Sequence, residues 1–309
     1  MRVFVAGATG AIGRFLLPQL RERGHDPIAM TRSPERAREL EADGVEAVAA
    51  DALEHDAVVA AVRNARPDAV VHQLTAIPAQ VNPRRLGKQF EQTNRLRTEG
   101  TRNLLAGAEA AGAERFVAQS VAFMYEPAGD GVKHEDSPLY RDAPKAFRAT
   151  VEALTELERA VGEAGGTVLR YGYFYGAGTA YAADGSIADQ VRARRFPVIG
   201  DGSGLFSFIH VRDAAEATMA ALERGEGGVF NVVDDEPAPV REWLPAYAEA
   251  LGAPPPRRVA TWVARLAVGG YGAAVMTRMR GASNERAKER LGWRPGHASW
   301  RQGFRVDLG

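Results

Sequence analysis

Short apolar runs alternate with amphipathic stretches from residue 2 to residue 233. Arg2–Ala6 is an apolar run rich in β-formers, and the stretch after it carries Ile12, Phe15, Leu16 and Leu20 at the 3/4 spacing of a helix. Strands of this length that alternate with helices are typical of βαβ units. The pattern therefore predicts an α/β fold with a doubly wound parallel sheet.

Six further apolar runs predict the remaining strands of that sheet. They lie at residues 27–30, 45–50, 69–74, 115–120, 167–170 and 228–233. Two long amphipathic stretches, 95–111 and 144–163, predict helices.

Two segments interrupt the alternation and are richer in Gly, Pro, aromatic residues and Arg. Open α/β sheets bind their ligands at the carboxyl ends of the strands, so we expect these segments to cover that edge. The predicted division is a dinucleotide-binding Rossmann part at 1–171, completed by about 205–233, and a substrate-binding region at 172–204 and 234–309.

Composition excludes several classes of partner. The 309 residues carry zero formal net charge and no cysteine, so neither nucleic acid nor an anionic membrane is indicated, and no disulfide or thiolate site is possible. A strand that starts at residue 2 leaves no room for a signal peptide, which predicts a cytoplasmic protein. The cluster at 134–136 has the character of a polar loop, and no metal site is predicted.

A glycine-rich turn joins the first strand to the first helix. Gly7 permits a tight turn, Gly10 lets a phosphate approach the backbone, and Gly13 lets the helix pack closely on the sheet. The N-terminus of that helix provides free N–H groups and a positive dipole end for a nucleotide diphosphate. The cofactor-binding residues predicted in this turn are Gly7, Thr9, Gly10, Ala11, Ile12 and Gly13.

The end of the second strand bears on which nicotinamide cofactor binds. Sites for NAD place a carboxylate there, whereas this chain has Thr31 followed by Arg32, with Arg36 one turn later. A guanidinium can bind a 2′-phosphate through paired charged hydrogen bonds. The alternative is that Arg32 is only a solvated residue at a helix entrance. NADP(H) is the predicted cofactor, and NAD(H) stays open.

With these segments in view, the chain resembles the extended short-chain dehydrogenase/reductase family, in its epimerase/dehydratase-like branch. The resemblance covers nearly the whole length and rests on residues 7–13, 94–105, 169–176, 208–213, 230–232 and 291–295. It implies a seven-stranded Rossmann sheet, a nicotinamide cofactor, a small C-terminal α/β substrate domain and a homodimer formed through the two long helices. The further cofactor contacts it implies are Asp51, Ala52, Leu74, Thr75, Ala76, Asn94, Ser120 and Tyr171.

The proton-transfer pair of that family is missing. Its members carry a tyrosine general acid/base with a lysine four residues later, and no tyrosine here has a lysine at that spacing. The two positions fall near Phe147 and Val151, or with another gap at Pro144 and Arg148. His72 is predicted to be a satisfied core histidine rather than a base. The candidate catalytic residues are Ser120, Tyr125 and Tyr173 as hydroxyl groups, with Lys145 and Arg148 as cations.

Aromatic residues replace a substrate-binding arginine. The resemblance implies that sugar-nucleotide enzymes carry an arginine four residues before His210, where this chain has Phe206, so a nucleotide sugar is not expected. Several apolar side chains of the predicted substrate region favour an apolar or aromatic pocket, although each could instead be core packing. The candidate substrate contacts are Tyr173, Phe174, Tyr181, Phe206, Tyr271 and Met276.

Three functions fit these residues. The first is an NADPH-dependent reductase of a small, largely apolar carbonyl, enone or quinone-like metabolite with a non-standard proton donor. The second is a redox-neutral epimerase, dehydratase or cyclase on the same scaffold, and the third is a catalytically silent NADP-binding sensor. The reductase is the favoured prediction, because hydride delivery is the cofactor's own chemistry and the protein needs only to bind and orient.

Overall fold

The structure, a computed structural model, describes residues 1–82 and 84–308. The strands are β1 (Arg2–Ala6), β2 (Asp26–Thr31), β3 (Glu46–Ala49), β4 (Ala69–His72), β5 (Arg115–Val121), β6 (Thr167–Tyr171), β7 (Tyr173–Tyr175), β8 (Val198–Ile199), β9 (Leu205–Phe206), β10 (Phe208–His210), β11 (Gly228–Val232), β12 (Ala238–Pro239) and β13 (Arg258–Val259). The helices are α1 (Gly13–Glu22), α2 (Pro34–Ala42), α3 (His55–Ala65), α4 (Leu86–Gln89), α5 (Glu91–Arg95), α6 (Thr101–Ala111), α7 (Lys145–Glu163), α8 (Ser186–Arg192), α9 (Val211–Arg224), α10 (Val240–Ala250), α11 (Thr261–Arg278) and α12 (Trp300–Leu308), with π-helical turns at Leu96–Gly100 and Ala287–Leu291.

Seven strands form one sheet in the order β11-β6-β5-β4-β1-β2-β3. Every neighbouring pair in this sheet is parallel. The order of connection reverses between β1 and β4, and a crevice for a ligand opens at such a reversal, outside the carboxyl ends of the strands. The predicted doubly wound Rossmann sheet is confirmed, with strand ends that differ from the predicted ones by one or two residues.

Helices cover both faces of the sheet. On one face, α1 and α9 pack through buried residues that include Leu16, Leu20 and Met219. On the other face, α3, α6 and α7 contribute Leu104 and Leu157 among others. Full burial of each such side chain stabilises the fold by about 1.5–3 kcal/mol. This packing holds the carboxyl ends of β1, β4, β5 and β6 in fixed positions beside one another.

The C-terminal part has an aromatic core of its own. Trp243 and Tyr247 of α10 pack with Trp300 and Phe304 of α12 and with Phe208 of β10. Three two-stranded sheets, β10-β7, β12-β9 and β13-β8, link this core to the rest of the fold. Only Gly172 separates β6 from β7, so this region begins directly at the carboxyl edge of the main sheet.

The central helix differs from its prediction in one respect. The sequence predicts an uninterrupted helix over 95–111, whereas the structure has a π-helical turn at Leu96–Gly100 between α5 and α6. A π-turn inserts one extra residue into a helix, and a 3/4 apolar pattern does not show such an insertion. Gly112, with φ of 71°, ends the helix. Within the described residues, no helix is both long enough and apolar enough to cross a membrane.

Candidate cofactor and substrate site

The glycine turn after β1 has no space for side chains. Gly7 has φ of +92°, and a Cβ there would lie 2.7 Å from the carbonyl oxygen of Gln73. A Cβ on Gly13 would lie 2.3 Å from the carbonyl oxygen of Ala8. Real Cβ contacts are not this short, so both positions require glycine for the turn and for the close approach of α1.

The same turn offers unused hydrogen-bond donors. Gly10 N–H donates to the carbonyl oxygen of Gly7 at 3.0 Å, whereas the backbone N–H groups of Ala11 and Ile12 donate to no acceptor among the described residues. Thr9 and Gly10 are exposed, and α1 begins at Gly13. Free N–H groups at the positive end of a helix dipole bind anions, so the turn fits the diphosphate of a dinucleotide.

The end of β2 places one free cation beside this turn. Arg32 is exposed and forms no ion pair with any described residue, while Arg36 Nη1 lies 3.2 Å from Glu39 Oε2. The Ser33 hydroxyl accepts a hydrogen bond from Arg36 N–H and thereby caps α2. Arg32 is therefore the side chain best placed to meet a negative charge, while Arg36 shares an exposed ion pair with Glu39, and the contact of either with a cofactor stays a prediction.

The other predicted cofactor contacts lie along the carboxyl edge between β3 and α7. Asp51 is exposed, and its Oδ1 accepts a hydrogen bond from Leu53 N–H at 3.0 Å. Ala76 N–H donates to the Thr93 hydroxyl, and Asn94 Nδ2 lies 3.4 Å from Thr150 Oγ1. Their contact with a cofactor stays a prediction. The remaining predicted contacts on this edge are the buried Ala52, the half-buried Leu74 and the exposed Thr75.

A buried polar network occupies two of the candidate catalytic hydroxyl groups. Ser120 Oγ donates to Glu158 at 2.6 Å, and Arg170 forms an ion pair with the same carboxylate at 2.6 Å. Arg170 Nη1 also donates to the Tyr125 hydroxyl at 2.8 Å, which donates to Asn231 Oδ1 at 2.7 Å. Burial raises the pKa of Tyr125 to about 12, against the opposing effect of Arg170.

These partners leave Ser120 and Tyr125 structurally occupied. Their catalytic role stays a prediction, because both hydroxyls are buried and both already serve as donors within the fold. The two candidate cations, Lys145 and Arg148, are exposed in the first turn of α7, and neither forms a hydrogen bond to Ser120 or Tyr125.

The positions of the missing tyrosine and lysine lie on α7 and are apolar. Phe147 and Val151 are both buried, with 5% and 2% exposure. The Phe147 ring stacks on the ring of Tyr271, with centroids 4.2 Å apart and an interplanar angle of 21°. These two positions of α7 therefore hold neither a proton donor nor a cation.

Three aromatic rings form a stack at the carboxyl edge of the sheet. Tyr173 lies between Phe123 and Phe206, with both centroid distances 4.4 Å and interplanar angles of 13° and 21°. Burial raises the pKa of Tyr173, so its hydroxyl is a weak acid that keeps its proton at neutral pH. Both faces of Tyr173 are covered and Phe206 is buried, so the stack presents apolar ring edges where β6 runs into β7.

The other predicted substrate contacts are packed into the fold. Tyr181 and Met276 are buried in the aromatic core, and Phe174 packs beside Tyr171 at 5.4 Å between centroids. The Tyr171 hydroxyl hydrogen-bonds Thr218 at 2.7 Å. The structure thus brings Tyr173 and Phe206 into contact, and it stacks Tyr271 on Phe147. It places Tyr181 and Met276 in the aromatic core. Whether any of them touches substrate stays a prediction.

His72 has the arrangement of a neutral structural histidine. Leu74 N–H donates to its Nδ1 at 3.3 Å, so Nε2 carries the proton and donates to Thr101 Oγ1 at 3.0 Å. Thr101 in turn donates to the carbonyl oxygen of Arg97. Burial, with a smaller effect from the charge of Arg97, lowers the pKa of His72 to about 4.

Sequence reasoning missed two residues near these groups. Phe123 completes the aromatic stack, and its position three residues after Ser120 places it just beyond β5. Arg97 lies buried between the apolar Leu96 and Leu104 of the central helix. The sequence held no signal for it, since Arg95, Glu99 and Arg102 of the same helix are also charged.

Two histidines and an aspartate also cluster away from the glycine turn. Ligand-type atoms of His210, Asp213 and His297 lie within 4.8 Å of one another. Asp213 accepts the backbone N–H of His297 at 2.8 Å, and its carboxylate lies 3.1 Å from His297 Nδ1. Hydrogen bonding accounts for this arrangement, and the expected absence of a metal site stays a prediction.

Comparison with known proteins identifies the class. The sequence model of the NAD dependent epimerase/dehydratase family matches residues 3–232. A 3-diazoavenalumate denitrifying reductase of a Streptomyces species is 51% identical over 308 residues, which is 98% of this chain and 99% of that protein. A 4-hydroxy-2-methyl-3-oxo-4-farnesyl-3,4-dihydroquinoline-1-oxide ketoreductase of Stigmatella aurantiaca is 30% identical over 82% of this chain and 74% of that protein. Among solved structures, MoeE5 in complex with UDP-glucose and NAD is 27% identical, with a TM-score of 0.75 over 100% of this chain and 97% of that one.

The fold, the glycine turn and these matches define an NAD(P)-dependent oxidoreductase of the extended short-chain dehydrogenase/reductase type. The chain belongs to the NAD dependent epimerase/dehydratase family. The resemblance inferred from its motifs is confirmed, and so is the nicotinamide cofactor at the level of NAD or NADP.

Proposed function

We propose that this chain is an NADPH-dependent reductase of a small aromatic molecule, and that its substrate class is an aromatic diazo compound. The observation that carries the proposal is the pair Phe147 and Val151, which leaves α7 without a proton donor beside the Tyr173 stack. The relative that is 51% identical bears the name of a reductase that removes nitrogen from a diazo compound.

The lack of a donor is consistent with this substrate class. Reduction of a carbonyl needs a proton on the oxygen as the hydride arrives, and a positioned acid supplies it in most such enzymes. An aromatic diazonium group is already a cation and accepts a hydride without a proton. A site that only binds, orients and excludes water is then sufficient.

The reaction balances with one hydride. The bound cofactor supplies a hydride from its reduced nicotinamide ring. An N–H bond forms on the terminal nitrogen of the diazonium group and neutralises its charge. The N–H and ring C–N bonds then break, dinitrogen leaves, the electron pair of the C–N bond stays on the ring carbon, and the proton released from nitrogen binds there. The half-buried rings of Phe123 and Tyr173 would contact the substrate ring through their edges, in the edge-to-face arrangement that aromatic pairs favour.

A substrate panel tests the proposal. The purified enzyme is mixed with NADPH and, separately, with a benzenediazonium salt, an aromatic ketone and a quinone, while absorbance of the reduced nicotinamide is followed. We expect consumption above the enzyme-free rate with the diazonium salt. Consumption that never exceeds the enzyme-free rate for any diazonium salt would refute this substrate class.

A carbonyl substrate is the second candidate. The ketoreductase relative supports it, and Tyr173 is then the proposed proton donor, because its hydroxyl forms no hydrogen bond within the described part of the chain. Loss of ketone reduction in Tyr173→Phe, with NADPH affinity unchanged, would support this candidate. Unchanged ketone turnover in that variant would exclude Tyr173 as the donor.

NADPH in preference to NADH is part of the proposal. The exposed Arg32 without an ion-pair partner supports it, together with the absence of a carboxylate at Thr31. We also propose that residues 1–171 and 205–233 bind the cofactor, while 172–204 and 234–309 bind the substrate. The placement of β11 within the main sheet supports that division.

A homodimer in the cytoplasm completes the proposal. The helices α6 and α7 are long and adjacent, and Arg102 and Glu156 form a 3.3 Å ion pair between them. Analytical ultracentrifugation distinguishes a 33.2 kDa monomer from a species of twice that mass. A monomer at all concentrations would refute the dimer, and fractionation of expressing cells tests the location.

A further inference from the structure

One buried arginine in the fold has no carboxylate partner. Arg97 and Arg170 are both 4% exposed. Arg170 pairs with Glu158 at 2.6 Å, whereas Arg97 forms no ion pair within the described residues. The single hydrogen bond of its guanidinium is a long one, 3.4 Å from Nη1 to Asn94 Oδ1.

An unpaired buried guanidinium is costly. Burial lowers the pKa of Arg97 to about 10, so the group still carries its charge at neutral pH while losing hydration. A guanidinium has five N–H donors in a planar fork, and the fold uses one of them. The others are available for an oxygen-rich ligand.

Arg97 lies beside the half of the cofactor crevice that the glycine turn and Arg32 do not occupy. Its carbonyl oxygen is joined through Thr101 to His72, the last residue of β4. Its guanidinium is joined through Asn94 to Thr150, the neighbour of Val151 on α7. A dinucleotide crosses the sheet where the strand order reverses, so its second nucleoside lies over β4 and β5 when the first lies over β2.

The local backbone is unusual at this residue. Arg97 belongs to the π-helical turn Leu96–Gly100, and such turns occur often at functional sites because they redirect a side chain. On α7, which packs directly against this turn, Val151 offers no cation, and Lys145 and Arg148 are exposed.

We propose that Arg97 binds the ribose on the nicotinamide side of the cofactor, with its guanidinium N–H groups donating to the two vicinal hydroxyls. The inference rests on the nicotinamide cofactor of the proposed function and deepens it. Arg97 thereby holds the end of the cofactor that carries the hydride, a task for which Val151, at the position of the family's lysine, offers no cation. Burial of this unpaired charge destabilises the cofactor-free protein, and the hydrogen bonds to the ribose offset that cost when the cofactor binds.

Two ligands that share the adenosine half distinguish binding of the nicotinamide ribose by Arg97 from a general effect of Arg97 on the cofactor site. NADPH contains the nicotinamide ribose, whereas 2′,5′-ADP contains only the adenosine half with its 2′-phosphate. Dissociation constants of both are measured by calorimetry for the wild type, Arg97→Met, Arg97→Lys and the control Arg102→Met, an exposed arginine of α6.

We expect Arg97→Met to weaken NADPH binding by about 10- to 100-fold, since it removes hydrogen bonds from a charged donor. Its affinity for 2′,5′-ADP is expected to equal that of the wild type. Arg97→Lys keeps the charge and is expected to recover part of the loss. Arg102→Met leaves both constants unchanged.

The melting temperature of the cofactor-free protein gives an independent readout. Removal of an unpaired buried charge is expected to raise it, whereas loss of a structural contact would lower it. Equal losses for NADPH and 2′,5′-ADP, or no loss for NADPH, would overturn the proposal. An unchanged NADPH affinity with a raised KM for substrate would place Arg97 on the substrate instead.

The proposed preference for NADPH is tested separately, by comparing the binding of NADPH and NADH to the wild type. If the wild type binds NADH more tightly than NADPH, that preference is refuted. The Arg97 comparison is then made with NADH and ADP, and the same pattern of losses is expected.

Discussion

The proposed preference for NADPH over NADH rests on Arg32. Arg32→Ala is expected to weaken NADPH binding by about 10- to 100-fold, since a charged hydrogen bond contributes about 1.5–3 kcal/mol. NADH binding is expected to stay the same, because NADH has no 2′-phosphate. Fluorescence titration of both cofactors measures the change.

Arg38→Ala serves as the matched control for Arg32. Arg38 lies on α2 with 72% side-chain exposure and its nearest carboxylate, Glu35, at 3.9 Å. The control is expected to bind both cofactors as the wild type does. Equal weakening of NADPH and NADH in Arg32→Ala would contradict a 2′-phosphate contact.

His72 makes the free energy of unfolding depend on pH. Its pKa is about 4 in the folded state, against 6.5 for an unperturbed histidine, so the folded state binds fewer protons than the unfolded chain. The stability from neutral His72 is fully present above pH 6.5 and is lost as the pH falls toward 4, by up to about 3 kcal/mol.

His72→Gln tests this effect, because glutamine can keep a donor for Thr101 and cannot be protonated. Urea unfolding at pH 7 and pH 4.5 is compared for the two proteins. We expect the wild type to lose more free energy of unfolding than the variant between the two values. Equal losses would show that His72 is not the group that titrates.

Single residues differ in how well the sequence predicts them. Gly7 and Gly13 were predictable because the turn itself favours glycine there: Gly7 has a positive φ, and a Cβ on Gly13 would meet the carbonyl oxygen of Ala8. The partners of Ser120 and Tyr125 were not, since Glu158, Arg170 and Asn231 come from distant elements. Only the assembled fold shows that these hydroxyls are already engaged.

At the scale of elements, α7 packs directly against the π-turn. Val151→Lys installs the lysine that the family carries, and it adds a second buried cation near Arg97. We expect this change to lower the melting temperature through like-charge repulsion and desolvation. Adding Arg97→Met is expected to recover part of the loss.

Differential scanning calorimetry of the four proteins in this cycle measures the coupling. The two substitutions are expected to be non-additive, with a coupling free energy of about 0.5–3 kcal/mol. Strictly additive changes in stability would mean that the side chains at positions 97 and 151 do not interact. That result would contradict the placement of Arg97 beside Val151.

Elements also show where sequence patterns succeed. The seven strands were predictable because each is a short apolar run between a turn and an amphipathic helix. The π-turn was not, since the buried face of the central helix continues through it and apolar periodicity carries no record of one added residue. The short strands β8, β9, β12 and β13 were also missed, because two residues show no period.

At the scale of the whole molecule, two cores meet along one edge. The Rossmann sheet brings the glycine turn, Arg32 and Arg97 to the carboxyl edge, and the aromatic C-terminal core brings Tyr173 and Phe206 to the same edge. Of the first half, the sequence predicted the glycine turn and Arg32 from motif spacing, and not Arg97. The second half was predicted only as a group of aromatic residues, because their stacking depends on elements from both parts of the chain.

The central claim is that hydride transfer in this enzyme proceeds without a protein proton donor on α7, on an aromatic diazo substrate. The most direct test is to measure dinitrogen released and NADPH oxidised in the same reaction with a benzenediazonium salt, corrected for the enzyme-free reaction. We expect one molecule of dinitrogen to be released for each NADPH oxidised. The variants Ser120→Ala and Tyr125→Phe are expected to keep this activity when it is expressed per amount of folded protein. NADPH oxidation only with ketones, or dinitrogen release that is independent of NADPH, would contradict it.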